Sequence, residues 1–248
     1  QVLMLKRSER VSTFGGYWHF VSGSFELGED AGACALRELH EETGIGGDGV
    51  TSIASGRPIW LELGEEWGRR SIIVHPVAIN ILPTGDFPPP VVLNWENSES
   101  RWVEFPDEEL RGVPRLVETH AGALAAVSAW NSCPALERIR RNRHSGATAL
   151  AVEALEGLAG AAAVGNEVEV AYQLATVRPA MSPLANAVMD ALAYSGSTLR
   201  EACASVTNRL RAAEAAVVEN TVRVVLARVT LRNGGEGGGG GGGGKRGG

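Results

Sequence analysis

Short apolar runs mark the first half of the chain, and small apolar residues at helical spacing mark the second. Val2 to Leu5 reads as a buried strand that leads into a basic turn at Lys6 and Arg7. Gly15 and Gly16 break the chain, and Trp18 and Phe20 then alternate within Tyr17 to Ser22 as in a strand. A helix is predicted from about Asp30 to Thr43. Its acidic start at Glu29 and Asp30 suits the positive end of the helix dipole, and Gly44 is a C-terminal stop. Ile59 to Leu63 and Ile72 to Leu82 read as two more strands, and Pro88 to Pro90 as a stiff loop. Arg101 to Phe105 reads as a short strand, and Pro106 to Leu110 as the first turn of a helix. Strands in series around one helix, with another helix closing, predict an α+β sandwich.

The pattern changes near residue 115. From Leu116 to about Val218 the chain is Ala-rich and strand-poor, with Leu150, Ala154 and Leu158, then Leu184, Val188 and Leu192, at helical spacing. Pro134, Pro179 and Pro183 punctuate these helices. Val222 to Leu231 is β-branched and predicts one lone strand. Gly234 to Gly248 is a glycine tract ending Lys245-Arg246-Gly247-Gly248; it cannot bury a core and is expected to be disordered. The expected organisation is an α+β domain over 1–114, an all-α helical region over 115–232, and a glycine-rich tail over 233–248.

A hydrophobic content of 44% over 248 residues permits a packed core in each half. Cys34, Cys133 and Cys203 show no C-x-x-C spacing, so neither a zinc site nor a disulfide framework is expected. A reducing, cytoplasmic setting is the natural reading. Cys34 reads as a small packing residue of its helix rather than a nucleophile. No apolar run reaches the roughly 18 residues that span a bilayer, so no membrane partner is expected. The start, QVLMLKRSER, is unlike a signal peptide, and its opening on Gln in mid-strand points to a fragment. Charge is unevenly shared: residues 1–112 carry 9 Lys+Arg against 18 Asp+Glu, and the remainder carries 14 against 11. An acidic half does not suit direct nucleic-acid binding unless divalent cations intervene, but it suits metal-assisted chemistry on a phosphorylated small molecule.

The acidic residues are not scattered. Glu38, Glu41 and Glu42 stand at i, i+3 and i+4 of the predicted helix, which puts three carboxylates on one face. Like charges so placed repel, and a hard divalent cation turns that repulsion into a site, because magnesium favours carboxylate oxygens. Ala35, Leu36, Leu39 and Thr43 are left to dock the helix on the sheet, and His40 points away from the acidic face. Arg37 can pair with Glu41 one turn on, or with Glu29, and reads as an orienting residue. Gly23 precedes the helix where the backbone must approach closely or take positive φ.

Residues Gly23 to Ile45 also fit the pattern G-x5-E-x7-R-E-U-x-E-E-x-G-U, with U a bulky aliphatic, at Gly23, Glu29, Arg37, Glu38, Leu39, Glu41, Glu42, Gly44 and Ile45. The chance of nine such coincidences is on the order of 10⁻¹⁰ per start position. The stretch resembles the Nudix box, the signature of the Nudix hydrolases. The resemblance implies an α/β/α sandwich with a mixed sheet, magnesium or manganese as cofactor, and cleavage of a nucleoside diphosphate derivative. It implies metal ligation by Glu38, Glu41 and Glu42, with Glu29 as a helper, and Arg37 among the catalytic set. Gly23 falls where backbone approaches substrate. The base varies in this family and can come from a later loop, where Glu96 and Glu99 are the candidates. Many members carry Pro-Gly-Gly before the helix; this chain has Ser22-Gly23-Ser24.

Ile139 to Ala147, Leu174 to Ser182 and Leu184 to Val188 resemble the helical N-terminal region of the initiation factor two-B alpha/beta/delta subunits. That resemblance implies a homo-oligomer or a translation-factor-like partner engaged through the helical half. A binding module that senses a nucleotide is thus the alternative to an enzyme. In a complete relative Ser145-Gly146 and Arg178-Pro179 would lie near a phosphate; here they read as structural.

Overall fold

The computed structural model describes residues 1–82, 88–104, 113, 115–117, 119–163, 165–195 and 198–234. The first half carries β1 (Val2–Arg7), β2 (Trp18–His19), α1 (Ala31–Thr43), β3 (Val50–Ser55), β4 (Ile59–Leu63), β5 (Arg70–Val74), β6 (Val77–Ile81) and β7 (Asn97–Val103). The second carries α2 (His120–Ser132), α3 (Pro134–Arg141), α4 (Ala147–Ala161), α5 (Glu167–Thr176), α6 (Ser182–Leu192) and α7 (Leu199–Gly234). The expected helical turn at Pro106–Leu110 and the tail from residue 235 lie outside the described residues.

β1 lies between β2 and β7 and is antiparallel to both, with Leu5 opposite His19 and Met4 opposite Arg101. Met4, Trp18 and Val103 form the buried centre of this sheet. Trp18 adds a parallel bridge to Leu116: its N–H donates to the Arg115 carbonyl at 3.0 Å, and its own carbonyl accepts from Val117 N–H at 3.1 Å. That bridge makes the sheet mixed. β3 pairs antiparallel with β6, and β4 with β5. Helix α1 packs against β3 and β6, and α2 packs against the same two strands.

Several expectations change in detail. The strand expected over Tyr17–Ser22 shortens to Trp18–His19, and that over Arg101–Phe105 instead runs Asn97–Val103. Ile72–Leu82 is two strands, because Pro76 has no N–H to give a ladder; its carbonyl instead accepts from Gly56 N–H at 2.8 Å. β3 was not foreseen. It follows a glycine-rich turn in a polar stretch, and its pairing with β6 rather than its composition makes it a strand. The lone strand expected over Val222–Leu231 is helical, the continuation of α7. No Pro or Gly interrupts Leu199–Asn233, and a helix satisfies its own backbone, whereas a lone strand leaves every ladder group unpaired. β-branched residues cost a helix well under 1 kcal/mol each, so they do not stop it.

In the second half α4 is central, touching α3, α5, α6 and α7. Leu150, Ala151, Ala154, Leu155, Leu158 and Ala161 are all buried along it. The small residues allow close helix approach: a Cβ at Gly157 would stand 2.8 Å from that of Ala135 in α3. Pro134 and Pro183 sit in the first turns of α3 and α6, where a missing N–H costs nothing. Arg178 donates from Nη1 to the carbonyls of Asn142 at 2.5 Å and Ile139 at 3.3 Å, closing the end of α3 in a structural role. All three cysteines are buried and free. Among the described residues no helix is long and apolar enough to cross a membrane.

The halves are joined by hydrogen bonds as well as packing. Buried Glu169 of α5 accepts from Arg57 N–H at 3.0 Å, and Arg140 of α3 donates to the Thr51 carbonyl at 3.1 Å. Gly56 lies at this junction. A Cβ there would meet Ala126 Cβ at 2.5 Å, Glu169 Oε1 at 3.0 Å and Pro76 Cβ at 3.2 Å. Gly56→Ala is therefore expected to destabilise the chain by about 1–3 kcal/mol through overpacking, read as a lower midpoint in urea denaturation. An unchanged midpoint would show that the two halves are not packed this way.

Candidate active site

The site is built on the ends of α1. Asp30 caps the first turn, its carboxylate accepting from Ala33 N–H at 2.8 Å. Gly44 ends the helix in the left-handed region at φ 71°, and its N–H donates to the His40 carbonyl at 2.8 Å. Cys34, Leu39 and Thr43 are buried, while Ala35 and Leu36 are half-buried, so the expected docking face is there in substance. His40 points away from the carboxylates. It helps line a hollow of about 540 Å³ with Leu36, Leu39, Ile45 and Val50, distant in chemistry from the acidic face.

Arg37 organises that face. Its Nε and Nη2 grip the Glu29 carboxylate at 3.0 and 2.9 Å, a bidentate pair. Nη1 donates to Glu38 at 2.7 Å and lies 3.5 Å from Glu41, and Nη2 also reaches the Ser24 carbonyl at 3.0 Å. The Arg37 bonds and the N–H of Glu26 hold the Glu29 carboxyl down to about 2. Gly23 leaves room for Glu38 as Arg37 holds it: a Cβ there would fall 1.8 Å from the Glu38 carboxylate and push it aside. The loop backbone thus lies directly on Glu38.

Glu42 is the opposite case. It is 1% exposed, and its Oε2 has no hydrogen-bond partner. Burial first, then the charges of Glu38 and Glu96, push its carboxyl up to about 8; Arg7 and the Asn97 amide offset part of this. Glu96 is half-buried in the loop before β7, and that loop is tied down on both sides. Val92 N–H donates to the Thr43 carbonyl at 2.8 Å, and Ser8 N–H donates to the Glu96 carbonyl at 2.7 Å. Glu99, the other candidate base, stands in β7 and pairs with Lys6 at 2.6 Å on an exposed surface. Of the two, only Glu96 is brought to Glu42.

His19, Asn97 and Arg7 join this group and were not singled out by the sequence. His19 lies 2.9 Å from Asn97 Oδ1 through Nε2 and 3.2 Å from Ser22 Oγ through Nδ1. Because Asn97 Nδ2 donates to Asn94 Oδ1 at 3.2 Å, its Oδ1 must accept, which assigns the proton to His19 Nε2. Burial lowers His19 to about 4, so it stays neutral in that tautomer. No spacing in the sequence links these residues; the register of β1 with β2 and β7 does. The asparagines flanking Glu96 were the only available signal.

The donor set suits a hard divalent cation: all oxygens, one of them buried and unpartnered, among repelling carboxylates. As they stand, no three His, Cys, Asp or Glu side chains among the described residues are gathered closely enough to hold one. Arg37 draws Glu38 and Glu41 to itself, and Glu41 is half exposed.

A mixed α/β domain that lines up carboxylates from one capped helix beside a buried glutamate is the class that fold and site define. The chain belongs to the Nudix family: the NUDIX domain model matches residues 1–126. No family is assigned to the helical region that follows. Three solved structures are similar over 52% of this chain. The MutT protein from Methanosarcina mazei Go1 is 25% identical with a TM-score of 0.40 over 83% of its own chain. An Ap4A hydrolase from C. elegans is 22% identical, TM-score 0.38, over 84% of its chain. A bifunctional NMN adenylyltransferase/ADP ribose pyrophosphatase from Francisella tularensis is 17% identical, TM-score 0.38, over 37% of its chain. No curated protein matches the chain.

The raised carboxyl of Glu42 has a thermodynamic consequence. Between its ordinary value of 4.5 and about 8 the folded protein holds a proton that the unfolded chain releases. Stability from this group is therefore full below about 4.5 and lost as pH rises through 8. With chelator present, Glu42→Gln is expected to melt above the parent at about pH 9, by on the order of a few kcal/mol at about 1.4 kcal/mol per unit. The gap should close towards pH 4.5. A constant gap across that range would mean that Glu42 titrates normally.

Proposed function

We propose that the first half of the chain is a pyrophosphohydrolase acting on a nucleoside diphosphate derivative. The observation that carries this is buried Glu42 of the Nudix helix, with one oxygen unpartnered, beside Glu38 of the same helix and Glu96 of the loop before β7. Glu38, Glu41 and Glu42 would hold magnesium or manganese, with Glu29 as a helper through its pair with Arg37. Such an ion supplies positive charge against the diphosphate and acidifies nearby water. Arg37 keeps Glu38 and the Gly23–Ser24 backbone in register at the substrate side of the helix. Water attacks one phosphorus, the bridging P–O bond breaks towards the other phosphate, and a carboxylate takes the water's proton. Glu96 is better placed for that transfer than Glu99, which is engaged by Lys6.

A second reading is a nucleotide-sensing module. It is favoured by one observation: among the described residues no three carboxylates are gathered closely enough to hold an ion, and Arg37 engages Glu38 and Glu41. In that reading residues 115–232 are an assembly region of the initiation factor two-B kind, and the domain boundary falls near 114. They would engage a second copy or a translation-factor-like partner.

One assay separates the two. The protein is incubated with ADP-ribose, dinucleoside polyphosphates, NADH and nucleoside triphosphates, with magnesium or with chelator. Turnover is expected only with metal, and Glu41→Gln and Glu42→Gln are expected to lower kcat by about 10²-fold or more. Tight nucleotide binding without turnover of any panel member would transfer support to the sensor.

A further inference from the structure

Among the described residues two arginines, Arg37 and Arg7, stand beside the carboxylates, and they differ in one respect. Arg37 has all three guanidinium nitrogens engaged by protein acceptors. Arg7 does not. Its Nε donates to the Thr13 carbonyl at 3.0 Å, and its two terminal nitrogens make no hydrogen bond or ion pair among the described residues.

Arg7 is also aimed. It is the last residue of β1, at the bulge where the pairing with β7 slips between Lys6 and Arg7, and it stands opposite Asn97. A bulge redirects the side chain at that point. Its backbone is fixed from both directions: its N–H donates to the Tyr17 carbonyl at 2.9 Å, and its carbonyl accepts from Gly16 N–H at 3.0 Å. The next residue, Ser8, binds the Glu96 carbonyl. Arg7 is thus attached to the loop that carries Glu96 and faces the asparagine that bonds His19. Its charge acts on both Glu42 and His19.

A half-buried cation next to an acidic cluster would ordinarily pair with it. Arg7 has no carboxylate within ion-pair distance among the described residues, while five carboxylates (Glu26, Glu29, Glu38, Glu41 and Glu99) have found other cations. A guanidinium held by its stem, with its terminal edge open, suits bidentate binding of phosphate oxygens. We propose that Arg7 is a substrate-binding residue that takes non-bridging oxygens of the diphosphate group from the β1 side of the site. The proposal rests on the phosphoanhydride reading above and deepens it. It divides the work between Arg37, which holds protein carboxylates, and Arg7, which holds the substrate.

The test uses the full chain and methylene-bridged ADP, which binds like a diphosphate but is not hydrolysed. Its affinity is measured by calorimetry with magnesium for the parent, Arg7→Ala, Arg7→Lys and Arg209→Ala. The last removes an exposed cation of α7 and controls for net charge. Arg7→Ala is expected to bind roughly 10- to 100-fold more weakly, as for a lost charge-assisted bidentate contact, with a parallel rise in KM for any hydrolysed substrate. Arg7→Lys should fall between, and Arg209→Ala should match the parent. A purely structural Arg7 would lower the melting temperature and leave affinity alone, so a folded Arg7→Ala with parental affinity overturns the proposal. Should Arg7→Ala not fold, Arg7→Lys decides, because an ammonium does not reproduce a two-pronged contact and parental affinity there is equally fatal. A parent that neither binds the analogue nor turns over any nucleotide overturns the phosphoanhydride reading itself, and that failure is visible before any variant is made.

Discussion

Everything about this site follows from the need to hold several carboxylates on one helix without letting them push it apart. Two devices do so. At the N-terminal side, Arg37 gathers Glu29, Glu38 and Glu41 around one guanidinium and binds the Ser24 carbonyl with the same group. At the C-terminal side, Glu42 is taken out of water and held towards its neutral form. The first device orders the loop before the helix, and a side chain at position 23 would displace the Glu38 carboxylate from Arg37. The second makes the loop before β7 part of the site, since Glu96 reaches Glu42 only because backbone bonds fasten residues 92–97 to α1 and β1.

Much of this could be read in the sequence because it is local. The spacing of Glu38, Glu41 and Glu42, the Asp30 cap, the Gly44 stop and the pairing of Arg37 with Glu29 all lie within one helix and its approach loop. Residues a few positions apart on a helix meet whatever the rest of the chain does. The contribution of β1 and β7 was not readable, because it depends on register. Arg7 faces Asn97 and Leu5 faces His19 only after three separated strands have paired, and a slip of one residue would turn each side chain to the other face. The two acidic candidates at 96 and 99 show the same limit. They are three residues apart in sequence, yet one turns to Glu42 and the other to Lys6.

The second half illustrates a different limit. Its helices were legible from Ala-rich periodicity, and α4 carries the core that such a pattern demands. Val222–Leu231 was not, because local propensity and available partners gave opposite answers. A β-branched run becomes a strand only where another strand receives its backbone groups, and no described strand stands there; the helix begun at Leu199 simply continues. The junction at Gly56, Ala126 and Glu169 was equally invisible, since Gly56 lies 70 positions from Ala126 and 113 from Glu169.

In the phosphoanhydride reading, the charge balance of the site matters more than any single residue. An acidic cluster repels an anionic substrate, so positive charge must be supplied both to the carboxylates and to the incoming phosphates. Arg37 meets part of the first demand and is consumed by it: every nitrogen it has is directed at a protein oxygen. A divalent cation would meet the rest, drawn by the unpartnered oxygen of Glu42. The second demand needs a cation that the protein has not already neutralised. Among the described residues Arg7 is placed for it, because the β1 bulge and the Thr13 carbonyl fix its stem while leaving its edge open. If carboxylates and substrate shared one arginine, each would weaken the other's hold. Separate arginines on a helix and on a strand end let the site keep its own charges ordered before the substrate arrives.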